Sequence, residues 1–409
     1  MIGNRYDKYK DSGIAWIGEI PEHWEVTSFK RKITINNGKD YKDFLDAEVY
    51  PVMGSGGCFA YCSNYIYDGE ALLLGRKGTI DKPLYVKGKF WAVDTMFYAI
   101  PHADLYCKFA YYLALMFPFN LYSTSTSLPS LTQTDLGNIL VAFPFLSEQQ
   151  AIAAYLDQKC GEIDELITLQ EEMITKLQSY KQSVITEAVT KGLDKNVPLK
   201  DSGIEWIGEI PEHWSKNKII RLFSIIGSGT TPKSSKEDNY NGSINWIQSG
   251  DINGGDIEIC KNTISYTAFK EYPALKIYQA PFIIVAMYGA SVGNISISQI
   301  DGCVNQACCV MNETKQNFKY LFYAMNSVKK YLIYRAEGGG QPNISQDKIK
   351  NTWLPIPPLS EQQSIADYLD QRCSEIDELI SIKQQKIEKL KEYKKSLIFE
   401  CVTGKRKVS

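Results

Sequence analysis

Two stretches of the chain carry apolar residues at intervals of three and four, strictly alternating in the first. Ile163, Leu166, Met173, Leu177, Tyr180 and Val184 form one stripe, with Gln170 filling one slot. Ile376, Leu379, Ile387, Leu390, Tyr393 and Leu397 form the other, with Lys383 in the corresponding slot. Narrow apolar stripes flanked by charge predict coiled-coil-like helices of about four heptads that pack on a partner helix. Each stripe follows the tetrapeptide Ser-Glu-Gln-Gln, at 147–150 and 360–363, just after prolines. That pattern reads as a capping box with Ser147 or Ser360 at the cap. Elsewhere the pattern shifts to β-branched and aromatic runs punctuated by Gly, Asn and Ser, then short helical stretches such as "FAYYLALMF" and "KYLFYAMNSV". These intervals predict compact, strand-rich α/β domains.

The elements occur twice. "DSGIAWIGEIPEHW" at 11–24 returns at 201–214 with only Ala15 replaced, by Glu205. "LSEQQAIAAYLDQKCGEIDELI" at 146–167 returns at 359–380 with 18 of 22 positions identical. The chain therefore reads as a box, a variable segment (25–145 or 215–358) and a helix-opening box, all repeated once. The boundaries expected are 1–146 for a first domain with its box, 147–196 for a first helix, 197–359 for a second domain with its box, and 360–409 for a second helix. If a pseudo-two-fold axis relates the halves, the helices run antiparallel and form a strut between the variable domains. Roughly 28 helical residues at about 1.5 Å each span on the order of 40 Å, a little over one turn of duplex DNA.

Composition narrows the class. A hydrophobic content of 44% and a charged content of 22% over 409 residues are ordinary for globular domains. No apolar run reaches membrane-spanning length, and the first residues lack the apolar core of a signal peptide. Ten scattered cysteines suit a reducing cytoplasm. Cys58 with Cys62, or Cys308 with Cys309, lacks a second half for a zinc site, so no metal is expected. The net charge of −2 argues against nucleic acid until it is divided. Residues 215–358 carry 15 basic and 10 acidic side chains, whereas 147–196 carry 5 and 9.

The order of boxes resembles that of the specificity subunits of type I restriction–modification systems, and the resemblance covers nearly the whole chain. "GSGTTP", "WIQSGDI" and "NQA" in the second half look like one flavour of that family's target recognition domain. "YPVMGSGG" and "GRKGTI" in the first look like another, with Asp81 departing from the glycine often found there. The resemblance implies an α/β (α+β-type) architecture of two target recognition domains separated by two long antiparallel helices. It also implies a non-catalytic reader of a bipartite, interrupted site in double-stranded DNA. Two methyltransferase subunits would dock on the repeats and restriction subunits would join them. S-adenosylmethionine, ATP and Mg2+ would be bound by those partners, with no cofactor in this chain. Because the variable segments differ, the half-sites should differ. A scaffold that organises two identical protein partners without touching DNA is the alternative.

No catalytic residue emerges from the sequence. A methyltransferase needs an Asn/Asp-Pro-Pro-aromatic motif, and the Pro-Pro here leads into a helix. No phosphate-cradling glycine motif is present, and the turn of "GSGTTP" is ascribed to glycine's freedom at positive φ. Asp157-Gln158-Lys159 matches only the tail of a nuclease motif inside a helical box. Base reading needs hydrogen-bonding side chains on exposed loops. In the first half these are Arg76 and Lys77, with Ser55, Thr79, Ser123, Ser125 and Ser127. In the second they are Thr230, Lys233, Tyr288, Ser291, Gln341 and Asn343. Trp16, Trp24, Trp206 and Trp214 of the repeated box are candidates either for partner contact or for a packed collar.

Overall fold

The structure is a computed structural model that describes residues 5–123, 129–336 and 343–408. Ser125, Ser127 and Gln341 lie outside the described residues. The chain forms two compact units, residues 1–172 with 383–409, and residues 173–382. The long helices Leu146–Lys191 and Leu359–Val402 are thus shared, since each unit takes the first part of one and the last part of the other. At about 1.5 Å per residue each helix runs well over 60 Å, because the repeated box is itself helical. Within each unit the two helical segments run antiparallel. In the first, Asp164 pairs with Lys394 at 2.7 Å. In the second, Lys181 pairs with Asp377 at 2.6 Å, the same pair displaced by the repeat.

The helices start earlier than a Ser cap would allow. Leu146 and Leu359 are already helical, and the backbone N–H groups of Glu148 and Gln149 donate to Phe145 O. Ser147 and Ser360 therefore sit in the first turn, not at the cap. The stripe is also only partly closed. Ile163, Gln170, Val184, Ile376, Ile387 and Leu397 are buried, while Leu166, Met173, Tyr180, Leu379 and Tyr393 are exposed. Near their ends the helices spend apolar residues on the domains instead, as Ile152, Leu156 and Ile365, Leu369 do.

A six-stranded sheet forms the first domain, in the spatial order Ile33–Asn37, Met96–Pro101, Tyr67–Gly75, Leu84–Ala92, Tyr50–Gly54, Gly57–Cys62. Leu72 and Leu74 face the core shared with the helices, and Ala71 and Leu73 face a second cluster with Phe90 and Trp91. A strand buried on both faces explains the unbroken apolar run. The second domain has a five-stranded sheet ordered Ile225–Gly227, Cys308–Asn312, Phe282–Ala286, Ile295–Ser298, Asp256–Ile257. Beside it lies a three-stranded sheet of Thr263–Ile264, Tyr240–Ile247 and Cys303–Val304. Ile283 and Val285 face the helices, while Phe282, Ile284 and Ala286 face away. Cys308 and Cys309 sit on a central strand and point into opposite clusters, so they do not converge on one ion. Burial pushes the Cys309 thiol up to about 12.

The repeated boxes fasten each domain to its helix. Each first box makes a two-stranded ribbon with matching register, Asp11 opposite Glu19 and Asp201 opposite Glu209. The chain then pairs Glu25–Ser28 with Leu140–Phe143, or Ser215–Lys218 with Trp353–Ile356, tying the two ends of the variable segment together. Trp24 and Trp214 are fully buried, and their indole N–H groups donate to Glu148 at 3.2 Å and Glu361 at 3.0 Å. His23 and His213 lie 2.8 and 2.7 Å from the same two carboxylates. Gln149 donates to Asp104 O and Pro144 O and accepts from Tyr106 N, and Gln362 makes the corresponding set with Gln316, Pro357 and Asn317. Asp157 accepts from Tyr112 and pairs with Lys108, as Asp370 does with Tyr323 and Lys319. Burial, then these bonds, hold both phenols well above their ordinary range. Asp157 and Asp370 are thus fasteners within the fold. Trp24 and Trp214 form the packed collar and present no surface to a partner, while Trp16 and Trp206 are half-buried.

Candidate nucleic-acid interface

In the first domain one end of the sheet gathers most of the candidates. The hairpin loop after Gly75 carries Arg76, Lys77 and Thr79. The turn after Gly54 carries Ser55, and the turn Val93–Thr95 lies between them. Arg76 N donates to Thr95 O at 2.8 Å, Gly78 N to Pro129 O at 2.9 Å, and Leu131 N to Arg76 O at 3.0 Å. Lys77 forms an isolated bridge with Ser130. Val93 N donates to Met53 O at 3.2 Å, bringing the Ser55 turn alongside. Gly75 is required where it stands, since a Cβ there would lie 2.3 Å from Thr79 O. Lys77 and Thr79 are exposed. Arg76 is half-buried, with its guanidinium over the Phe97 ring at 5.8 Å and Nη1 donating to Asp94 O at 3.3 Å. Ser123 is half-buried and its Oγ is enclosed, which sets it apart from the exposed loop residues.

The second domain repeats the device with different residues. Met287 N donates to Ala307 O at 2.7 Å and Ile344 N to Met287 O at 2.9 Å, while Tyr288 bridges Asn343. Lys77 and Tyr288 are each followed by a glycine at φ +81°, Gly78 and Gly289, a conformation that L side chains rarely adopt. Ser291 lies in the same hairpin loop as Tyr288, and Ser291 O accepts from Asn294 N at 2.9 Å. Thr230 lies in the incoming loop, where its carbonyl accepts from Trp246 Nε1 at 3.2 Å. Lys233 lies farther along that loop, where its backbone N–H donates to the Tyr272 hydroxyl at 3.1 Å. The glycines of "GSGTTP" correct the sequence reading. Gly227 and Gly229 do not adopt positive φ; they permit close approach, since a Cβ on Gly229 would lie 1.7 Å from Val304 O.

The sequence reading missed the turn residues between these loops. Asp94 and Gln306 occupy corresponding positions, each just before the carbonyl (Thr95 or Ala307) that anchors the hairpin, and both are exposed. Thr231 Oγ1 donates to Gln306 Oε1 at 2.5 Å, and Ser228 Oγ to Gln306 O at 3.4 Å. The string "NQA" held the signal for one of them, but only the fold places it beside the others.

Two domains of like strand order, each with its own hydrogen-bonding side chains on corresponding loops, have the form of a recognition protein. The chain belongs to the type I restriction modification DNA specificity domain family, whose model matches residues 21–178 and again 211–392. It is similar to the type I restriction enzyme MjaVIII specificity subunit of Methanocaldococcus jannaschii, 24% identical with 95% of this chain and 94% of that one covered. It is also similar to the type I restriction enzyme EcoBI specificity subunit of Escherichia coli, 24% identical over 79% of this chain and 72% of the other. A chain from a structure of type I restriction–modification complex assembly and conformational transition shares the fold, with a TM-score of 0.71 and 16% identity over 94% of this chain and 98% of that chain. The protein is a DNA-recognition specificity subunit of this class, a targeting component. Among the described residues no helix is long and apolar enough to cross a membrane.

Proposed function

We propose that the chain reads a bipartite, asymmetric duplex site, one half-site per recognition domain. The observation that supports this most directly is the pair of corresponding hairpin loops with unlike contents. One offers Lys77 and Thr79, the other Tyr288 and Ser291, so equal backbones present unequal chemistry to base edges. Two methyltransferase subunits dock on the repeats and restriction subunits complete the complex, in the cytoplasm. S-adenosylmethionine, ATP and Mg2+ belong to those partners. The two long helices, each shared between the units, set the number of unread base pairs. Lysine and arginine contacts to phosphate make the affinity fall steeply with salt.

The test is methylome sequencing after co-expression with the cognate methyltransferase subunit in a methylation-free host. The expected result is a two-part asymmetric methylated motif that disappears without this chain. A complex that assembles, leaves DNA unmethylated and binds no duplex at low salt would overturn the reading and favour the protein scaffold.

A further inference from the structure

We propose that Asp94 and Gln306 are corresponding base-reading side chains, one for each half-site. The inference rests on the DNA-reading function and deepens it. Both residues stand on the turn that anchors the reading hairpin, through Arg76 N to Thr95 O in one domain and Met287 N to Ala307 O in the other. Both are exposed and flanked by the loops that carry Lys77 and Tyr288.

Their chemistry restricts what they can meet. An exposed carboxylate on a DNA-facing loop is repelled by phosphate and can only accept hydrogen bonds. On a duplex, the donors it can approach in the major groove are exocyclic amino groups, above all cytosine N4. The Asp94 turn is braced from behind by the Arg76 guanidinium, which binds the backbone carbonyl of Asp94. Arg76 thereby acts as a positioning residue for this contact. Gln306 carries an amide, whose paired donor and acceptor suit adenine N7 and N6. The Thr231 hydroxyl donates to Oε1, which restrains the amide and leaves a second lone pair on that oxygen for an amino donor, while Nε2 is the group that would donate to adenine N7. One domain therefore reads an amino-bearing base by acceptance alone, and the other reads adenine with two bonds.

The experiment compares wild type, Asp94→Asn and Gln306→Glu, each co-expressed with the cognate methyltransferase subunit and read by methylome sequencing. Asp94→Ala and Gln306→Ala serve as second variants, and assembly is checked by size-exclusion chromatography. Asp94→Asn should relax or change one base position in one half-site only, with discrimination at that position falling about 5- to 150-fold. Gln306→Glu should do so in the other half-site only. An unchanged motif in all four variants, methylated fully or merely less, would overturn the assignment, because the contact would then carry no sequence information. A wild-type complex with no chain-dependent motif would instead overturn the DNA-reading function, and this assignment with it.

Discussion

The first recognition domain builds one six-stranded sheet, whereas the second divides its strands between a five-stranded and a three-stranded sheet. The central four strands correspond nonetheless. Leu72 faces Ala99 and Leu73 faces Tyr98 in the first, and Ile284 faces Val310 and Val285 faces Cys309 in the second, in antiparallel pairs of the same order. A fifth strand also joins each sheet in parallel, Tyr50–Gly54 beside Leu84–Ala92 and Asp256–Ile257 beside Ile295–Ser298. What differs is appended at the margin, the sixth strand Gly57–Cys62 in the first domain and the separate three-stranded sheet in the second. The space next to the helices differs as well. Tyr85 packs on Tyr111 and under Lys108 in the first domain, while the second leaves a cleft of about 580 Å³ beside Lys319, Phe322 and Asp256. The lesson is a division of labour: the frame and its fasteners are held constant, and the margins and loop contents are free to diverge.

That division can be broken by degrees. The largest effect should come from Trp24→Ala or Trp214→Ala, each costing about 3–5 kcal/mol for a fully buried indole. Unit-resolved hydrogen exchange should show the loss confined to the unit that carries the change; equal loosening of both would contradict separate fastening. Gly38→Ala and Gly229→Ala come next, because their Cβ atoms would sit 2.0 and 1.7 Å from the carbonyl oxygens of Val93 and Val304. Overpacking of that kind costs about 1–3 kcal/mol. Chemical denaturation should show these losses, with Gly56→Ala, whose Cβ would meet nothing within 4 Å, neutral in the same assay. Gln149→Leu and Gln362→Leu should each cost about 1–3 kcal/mol by leaving buried backbone groups unpaired. Matching values for the two would sharpen the equivalence of the fasteners, and a harmless Gln362→Leu would break it. The smallest effect belongs to Lys181→Ala and Lys394→Ala, whose partly exposed pairs are worth about 0.2–1 kcal/mol each. Thermal melts in low and high salt should bring each variant closer to wild type as salt rises.

Much of the frame was legible because it is written twice. Identical boxes implied identical local structure, and the three-and-four spacing pointed to both long helices. Their first turns were misread, since Ser147 looks like a cap until Glu148 and Gln149 are seen serving the neighbouring loops. Arg76, Lys77 and Tyr288 were legible as loop residues beside glycine, and the fold does bring Lys77 and Tyr288 to corresponding places. Asp94 and Gln306 gave no shared signal, because a turn aligned by backbone bonds places few demands on its side chain.

By itself, then, the sequence determined a doubled architecture, two long helices and two unlike strand-rich domains, since repeats and periodicity are local and survive without three-dimensional context. Only the tertiary structure decided that the two domains share a run of strands in one order and a corresponding hairpin loop. Backbone hydrogen bonds such as Arg76 N to Thr95 O and Met287 N to Ala307 O define that equivalence, and such bonds join residues far apart in the chain without constraining which side chains they carry.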